Sequence, residues 1–151
     1  TWLIDKATEA VLRDGIKILL IDPWNEVEHA RSKGESMVDY VARGIRQLKR
    51  FARLRDVMVI VVAHPTKMAR GKDGKPEMPG LYDISDAAHW YNKCDHGLVV
   101  YRTFDPPVSE VHVLKSRFDE AGEPGSVRMR FDPDLHRFDP LQDQSLPQKG
   151  R

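Results

Sequence analysis

Two uninterrupted apolar runs constrain this chain most. Ile18-Leu19-Leu20-Ile21 ends abruptly in Asp22 and Pro23, and Val57-Met58-Val59-Ile60-Val61-Val62-Ala63 ends in His64. Neither run alternates with polar residues, as expected of strands buried on both faces in a parallel sheet covered by helices. Between them, Ser36 followed by Asp39 is a helix-start signature. Met37, Tyr40, Val41, Ile45, Leu48, Phe51 and Ala52 then recur at helical spacing as far as Arg55. With a further helix and strand and an antiparallel finish after them, the order strand, helix, buried strand predicts an α/β fold. In such sheets ligands bind outside the carboxyl ends of the strands, where Asp22 and His64 both stand.

The rest of the chain fits around that unit. Leu3, Ala7, Ala10 and Val11 give one apolar face to a helix over 2–13 that Thr1 can cap and that Asp14-Gly15 ends. The first strand is expected over 16–22, a long glycine-containing loop over 64–82, a short helix over 84–92 and a strand over 96–102. Thereafter Val111 and Val113 alternate with Glu110 and His112, and Val127, Met129 and Phe131 with Arg128 and Arg130. That is the pattern of half-exposed antiparallel strands. Asp132-Pro133-Asp134 reads as a turn. The reading is one domain over 1–139, a parallel sheet flanked by helices with an antiparallel C-terminal extension, followed by a flexible tail over 140–151.

Composition narrows the setting. The chain has 151 residues, 40% of them hydrophobic, enough for a core at that length. Its 24 basic and 23 acidic side chains leave a net charge of +1, so an argument for a polyanionic partner must rest on local clusters. Cys94 is the single cysteine, which excludes an internal disulfide and suggests a reducing compartment. No stretch reads as a membrane span or a signal peptide, so the expected location is cytoplasmic.

An apolar strand ending in aspartate is half of a nucleotide-hydrolysis site, the half that holds Mg²⁺ beside the phosphates. The other half, a loop of the form G-x-x-x-x-G-K-[ST], is absent from these residues. Lys115 and Arg117 stand two apart, so on a strand both face one way. Lys67, Arg70, Lys72 and Lys75 fall within nine residues of one another on a glycine-containing loop, diluted by Asp73 and Glu77. Such a loop suits a phosphodiester backbone and reads no bases.

With the Asp22 strand ahead of them, VIVVAHPTK (59–67), YDISDAAHWYNKCDHGLVVYR (82–102) and LKSRF (114–118) resemble the C-terminal half of the RecA-like motor in ring-shaped primase-helicases. These are the phage replicative enzymes and the Twinkle-type enzymes, relatives of DnaB, and the resemblance runs over about 16–138. It implies a partial RecA-like P-loop NTPase core whose phosphate loop and catalytic glutamate lie upstream of this chain. The activity implied is an NTP hydrolase, using ATP or another NTP with Mg²⁺, that translocates on single-stranded DNA and unwinds duplex as a homo-oligomer, a hexameric ring. The setting implied is a bacterial or phage-infected cell.

Carried over position by position, Asp22 corresponds to the aspartate that orients Mg²⁺. His64 corresponds to the polar sensor of the γ-phosphate, and Lys115 and Arg117 to the lysine and arginine finger that reach a neighbouring subunit's nucleotide. The loop bearing Lys67, Arg70, Lys72 and Lys75 corresponds to the one that grips single-stranded DNA. Plainer roles exist for each: a histidine closing a strand, a solvated basic strand edge, a solvated loop. Where the viral enzymes have a basic, glycine-rich run after the aspartate matching Asp83, this chain has Ser85, Asp86, Ala87, Ala88 and His89. Trp90, Tyr91 and His89 read as packing residues, and Asp95, just before a strand, as structural.

Two readings from other classes are available. Asp22, Glu26, Glu28 and His29 with Asp83, Asp86 and His89 would form the centre of a metal-dependent nuclease or phosphoesterase, although their spacings match no ligand signature. The antiparallel edge would serve a non-catalytic oligomerisation module.

Overall fold

The computed structural model describes residues 2–27, 33–66, 68, 74, 76–84, 87–104 and 106–141. The chain divides into two compact units: 1–68 with 82–93, and 69–81 with 94–151.

In the first unit, helix α1 (Trp2–Asp14) leads to strand β1 (Ile18–Ile21), helix α2 (Met37–Arg55), strand β2 (Met58–Val61) and helix α3 (Ala87–Lys93). The Ser36 hydroxyl accepts the Asp39 N–H at 3.1 Å, the cap that the sequence signature implied. At the other end of α2, Asp56 takes a left-handed conformation at φ 51° and its N–H bonds back to the Ala52 carbonyl, which stops the helix. β1 and β2 pair in parallel, with Ile18 opposite Met58 and Ile21 opposite Val61.

One face of this strand pair is covered. Leu19, Ile21, Val59 and Val61 pack with Tyr40, Val41, Ile45 and Leu48 of α2, with Trp24 and Trp90, and with Ile4 of α1. A smaller cluster joins Ala7, Phe51 and Val57. Among the described residues nothing covers the opposite face: Ile18, Leu20, Met58 and Ile60 are 57%, 56%, 62% and 42% exposed. The expectation of strands buried on both faces is therefore corrected. The apolar run reflects two apolar faces, of which these residues bury one.

The second unit is an antiparallel sheet in the order β3 (His96–Phe104), β4 (Pro107–Ser116), β5 (Gly125–Asp132), β6 (Arg137–Pro140). Alternation in the sequence anticipated β4 and β5. β6, too short for a pattern, extends to Pro140 a sheet expected to end before it. Asp132 nucleates the intervening turn, its carboxylate accepting the N–H groups of Asp134 and Leu135 at 2.9 and 3.0 Å. Of the expected tail, 142–151 lies outside the described residues.

Candidate functional site

The carboxyl ends of β1 and β2 stay side by side beyond the strands. The Val62 N–H donates to the Ile21 carbonyl at 2.9 Å, and the Trp24 N–H donates to the Val62 carbonyl at 2.7 Å. Farther out, the His64 N–H donates to the Asn25 side-chain oxygen at 3.3 Å. Asp22, one residue past β1, and His64, three past β2, thus occupy the same rim, and both are exposed. The Asp22–Pro23 peptide is cis.

Trp24 anchors this rim from below. Its indole is buried, edge-on to Trp90 with ring centroids 5.3 Å apart and 6.3 Å from Tyr40. Gly44 on α2 makes the room, because a Cβ there would stand 2.8 Å from the indole Cη2. Neither Asn25 nor this wedge is legible in the sequence. A tryptophan after a strand-end aspartate carries no periodic signal.

Just beyond His64 the chain is pinned. The backbone N–H and the hydroxyl of Thr66 both donate to the Asp83 carbonyl, at 2.6 and 2.9 Å, and Pro65 bridges Ile84. The chain leaves at Thr66 and is back beside it at Asp83. Tyr82, next to this neck, stacks on Tyr91 with centroids 4.4 Å apart. Lys67, Arg70, Lys72 and Lys75, the expected DNA-contacting residues, lie outside the described residues, as do Ser85 and Asp86. Trp90 and Tyr91 do pack, as expected.

In the second unit, Lys115 pairs with Gly97 near the end of β4, and Arg117 follows the strand. The ladder shifts register between Gly97 and Leu98, leaving Leu114 opposite no residue of β3. Asp95 meets Arg117 twice: its carbonyl accepts the Arg117 N–H at 2.9 Å, and its carboxylate accepts an N–H of guanidinium Nη1 at 2.9 Å. Cys94 belongs to the same cluster. Burial pushes its thiol above the usual range, Lys115 and Arg117 pull it back, and Asp95 pushes it up further. Asp95, read from the sequence as structural, is the acidic partner of Arg117 across 22 positions of sequence.

For the metal-centre alternative, among the described residues no three His, Cys, Asp or Glu side chains gather as cation ligands. Glu28, His29 and Asp86 lie outside them. Also among the described residues, no helix is long and apolar enough to cross a membrane.

Comparison with known proteins bears on both units. Over 136 residues the chain is 37% identical to the Twinkle homolog protein, chloroplastic/mitochondrial, of Arabidopsis thaliana, a match that covers 87% of this chain and 19% of that protein. Among solved structures it is similar to a DnaB-like replicative helicase determined with attention to its interactions with primase. There the TM-score is 0.68 at 22% identity, over 91% of this chain and 33% of that one. No family model matches. The chain thus spans about a fifth of the length of the curated relative.

A parallel strand pair backed by helices in one unit and an antiparallel sheet in the other, similar in fold to a DnaB-like helicase, make a partial RecA-like α/β fold. The chain is thus a fragment-length relative of the DnaB/Twinkle-type helicases, similar in sequence to the one and in fold to the other.

Proposed function

We propose that this chain is the C-terminal part of a replicative DNA helicase motor that couples NTP hydrolysis to translocation on single-stranded DNA and duplex unwinding. The observation that carries the reading is the shared rim, where paired parallel strands end in Asp22 and His64. The motor portion is residues 1–139, to which the end of β6 adds Pro140. The working form is a homo-oligomer, a hexameric ring, in the cytoplasm of a bacterial or phage-infected cell, and the phosphate loop is supplied by sequence upstream.

The proposed roles divide between the rim and two sets of cations. Asp22 offers one exposed carboxylate, the hard oxygen donor that Mg²⁺ takes alongside phosphates and waters, so the residue fits that ion. When bound, Mg²⁺ neutralises charge on the phosphates of ATP or another NTP. His64, exposed at the same rim, serves as the polar sensor of the γ-phosphate in this reading. Its neighbour Thr66 is tied to Asp83 at the neck of the basic loop, a short path from nucleotide to DNA. Lys67, Arg70, Lys72 and Lys75 neutralise the phosphodiester backbone. Lys115 and Arg117 act on the nucleotide of the adjacent subunit, where a planar guanidinium fork matches the developing charge on phosphoryl oxygens.

The test is Asp22→Asn in the longer polypeptide that carries the upstream phosphate loop. Loss of DNA-stimulated NTP hydrolysis with assembly retained is the expected result, and undiminished hydrolysis overturns the reading. The 151-residue chain by itself is expected to show no NTP turnover.

A further inference from the structure

The motor reading leaves Asp95 without a task, yet Asp95 is the residue that Arg117 meets through both backbone and side chain. We propose that Asp95 is a positioning residue that aims the Arg117 guanidinium at the neighbouring subunit's nucleotide. This rests on the reading of Arg117 as the group that reaches that nucleotide.

Three observations carry it. The main-chain bond from Arg117 N–H to the Asp95 carbonyl fixes where residue 117 leaves β4. The carboxylate bond at Nη1 then fixes which way the side chain runs from there. An arginine has many rotamers, and one that must meet a phosphate across a subunit boundary gains from being ordered beforehand. Because a guanidinium carries five N–H donors in one rigid plane, a tether at Nη1 sets the orientation of the whole fork.

Second, the pair is a poor stability device. The two side chains are 40% and 36% exposed, and ion pairs so placed add little to folding. A geometric task accounts better for a double contact there.

Third, the register shift between Gly97 and Leu98 falls beside Lys115, two residues before Arg117. Bulges of this kind bend a strand and re-aim the side chains next to them. Lys115 and Arg117 both lie within electrostatic reach of Cys94, as Asp95 does, so one carboxylate serves a site holding two cations.

The experiment measures kcat and KM for DNA-stimulated NTP hydrolysis by the longer motor polypeptide. Its variants are Asp95→Asn, Asp95→Glu, Arg117→Ala and the double variant D95N/R117A. Arg117→Ala should abolish turnover. Asp95→Asn should lower kcat about ten- to a hundred-fold with KM within about two-fold, the scale of a misplaced catalytic group. Asp95→Glu should recover part of the loss, and the double variant should be no slower than Arg117→Ala alone. If Arg117→Ala abolishes turnover while Asp95→Asn leaves kcat unchanged, the positioning role is wrong and the motor reading stands. If Arg117→Ala itself leaves turnover intact, the assignment of Arg117 fails and the positioning role with it. A measurement on the unaltered 151-residue chain does not depend on any variant folding. The Arg117 Nε–H should show nitrogen relaxation as restricted as the backbone; mobility equal to that of exposed Arg53 overturns the proposal.

Discussion

The side-chain oxygen of Asn25 accepts the backbone N–H of His64 at 3.3 Å, tying the turn after β1 to the residue at the rim beyond β2. The bond is long and exposed, so it contributes little to global stability, on the order of 0.5–1 kcal/mol. Its effect is local, because it holds the His64 backbone beside the turn that follows Asp22. Asn25→Ala should raise amide hydrogen exchange at His64 several-fold and leave Val62 unchanged, since the Val62 N–H is bonded to the Ile21 carbonyl at 2.9 Å. Asn25→Asp keeps an acceptor oxygen and should retain most of the protection. Equal exchange at His64 in all three proteins would show that the bond does not restrain the rim.

Gly44 is set by Trp24. A methyl at residue 44 would lie 2.8 Å from the indole Cη2, and a buried ring cannot move as freely as the end of an aliphatic side chain. Gly44→Ala gains about 1 kcal/mol of helix propensity and loses roughly 1–3 kcal/mol to overpacking. The expected net is destabilisation of about 1 kcal/mol, read from the denaturant midpoint, with a shift in tryptophan emission. Gly44→Ala in a Trp24→Leu background should lose the penalty and keep the gain.

Sequence periodicity carried most of the elements because helices and strands impose repeating patterns on who faces the core. α2 was legible from its heptad-like spacing and Ser36 cap, and β4 and β5 from alternation. Strand ends made Asp22 and His64 legible as rim residues, since an apolar run that stops at a polar group marks where a sheet meets solvent. The misses have equally physical causes. Asn25 meets His64 through one bond across 39 positions, and Asp95 meets Arg117 through two across 22. No local pattern encodes such a pair. An unbroken apolar run, for its part, records what a strand face is suited to bury and not what these residues cover.

That uncovered face gives the next prediction. Leu20 lies opposite Ile60, and Ile18 opposite Met58, all four exposed on one side of the strand pair. A residue that buries nothing contributes little when replaced, within about 0.5 kcal/mol for an exposed position. Leu20→Lys with Met58→Lys should therefore leave the unfolding midpoint of the 151-residue chain nearly unchanged while reducing its binding of an apolar dye. Val59→Lys, which faces the helices instead, should cost several kcal/mol by burying an unpaired charge. Equal destabilisation by both changes would mean that the outer face is covered in solution.

Cys94 supplies the pH dependence. Burial is the first cause raising its thiol above the ordinary range, so the folded chain holds the proton more tightly than the unfolded one. The sign follows from linkage: the neutral thiol's contribution is complete below the unfolded value, about 8.5, and is lost as pH rises through the folded value. The difference in unfolding midpoint between the wild-type chain and Cys94→Ala should therefore shift against the wild type between neutral pH and about pH 10. Alkylation reports the same group directly, because the thiolate is the nucleophile. Asp95 pushes the thiol up and Lys115 pulls it down, so Asp95→Asn should speed alkylation at a fixed pH near neutrality and Lys115→Gln should slow it. Rates moving in the opposite directions would mean that Asp95, Lys115 and Cys94 do not share the neighbourhood at the start of β3 on which the aim of Arg117 depends.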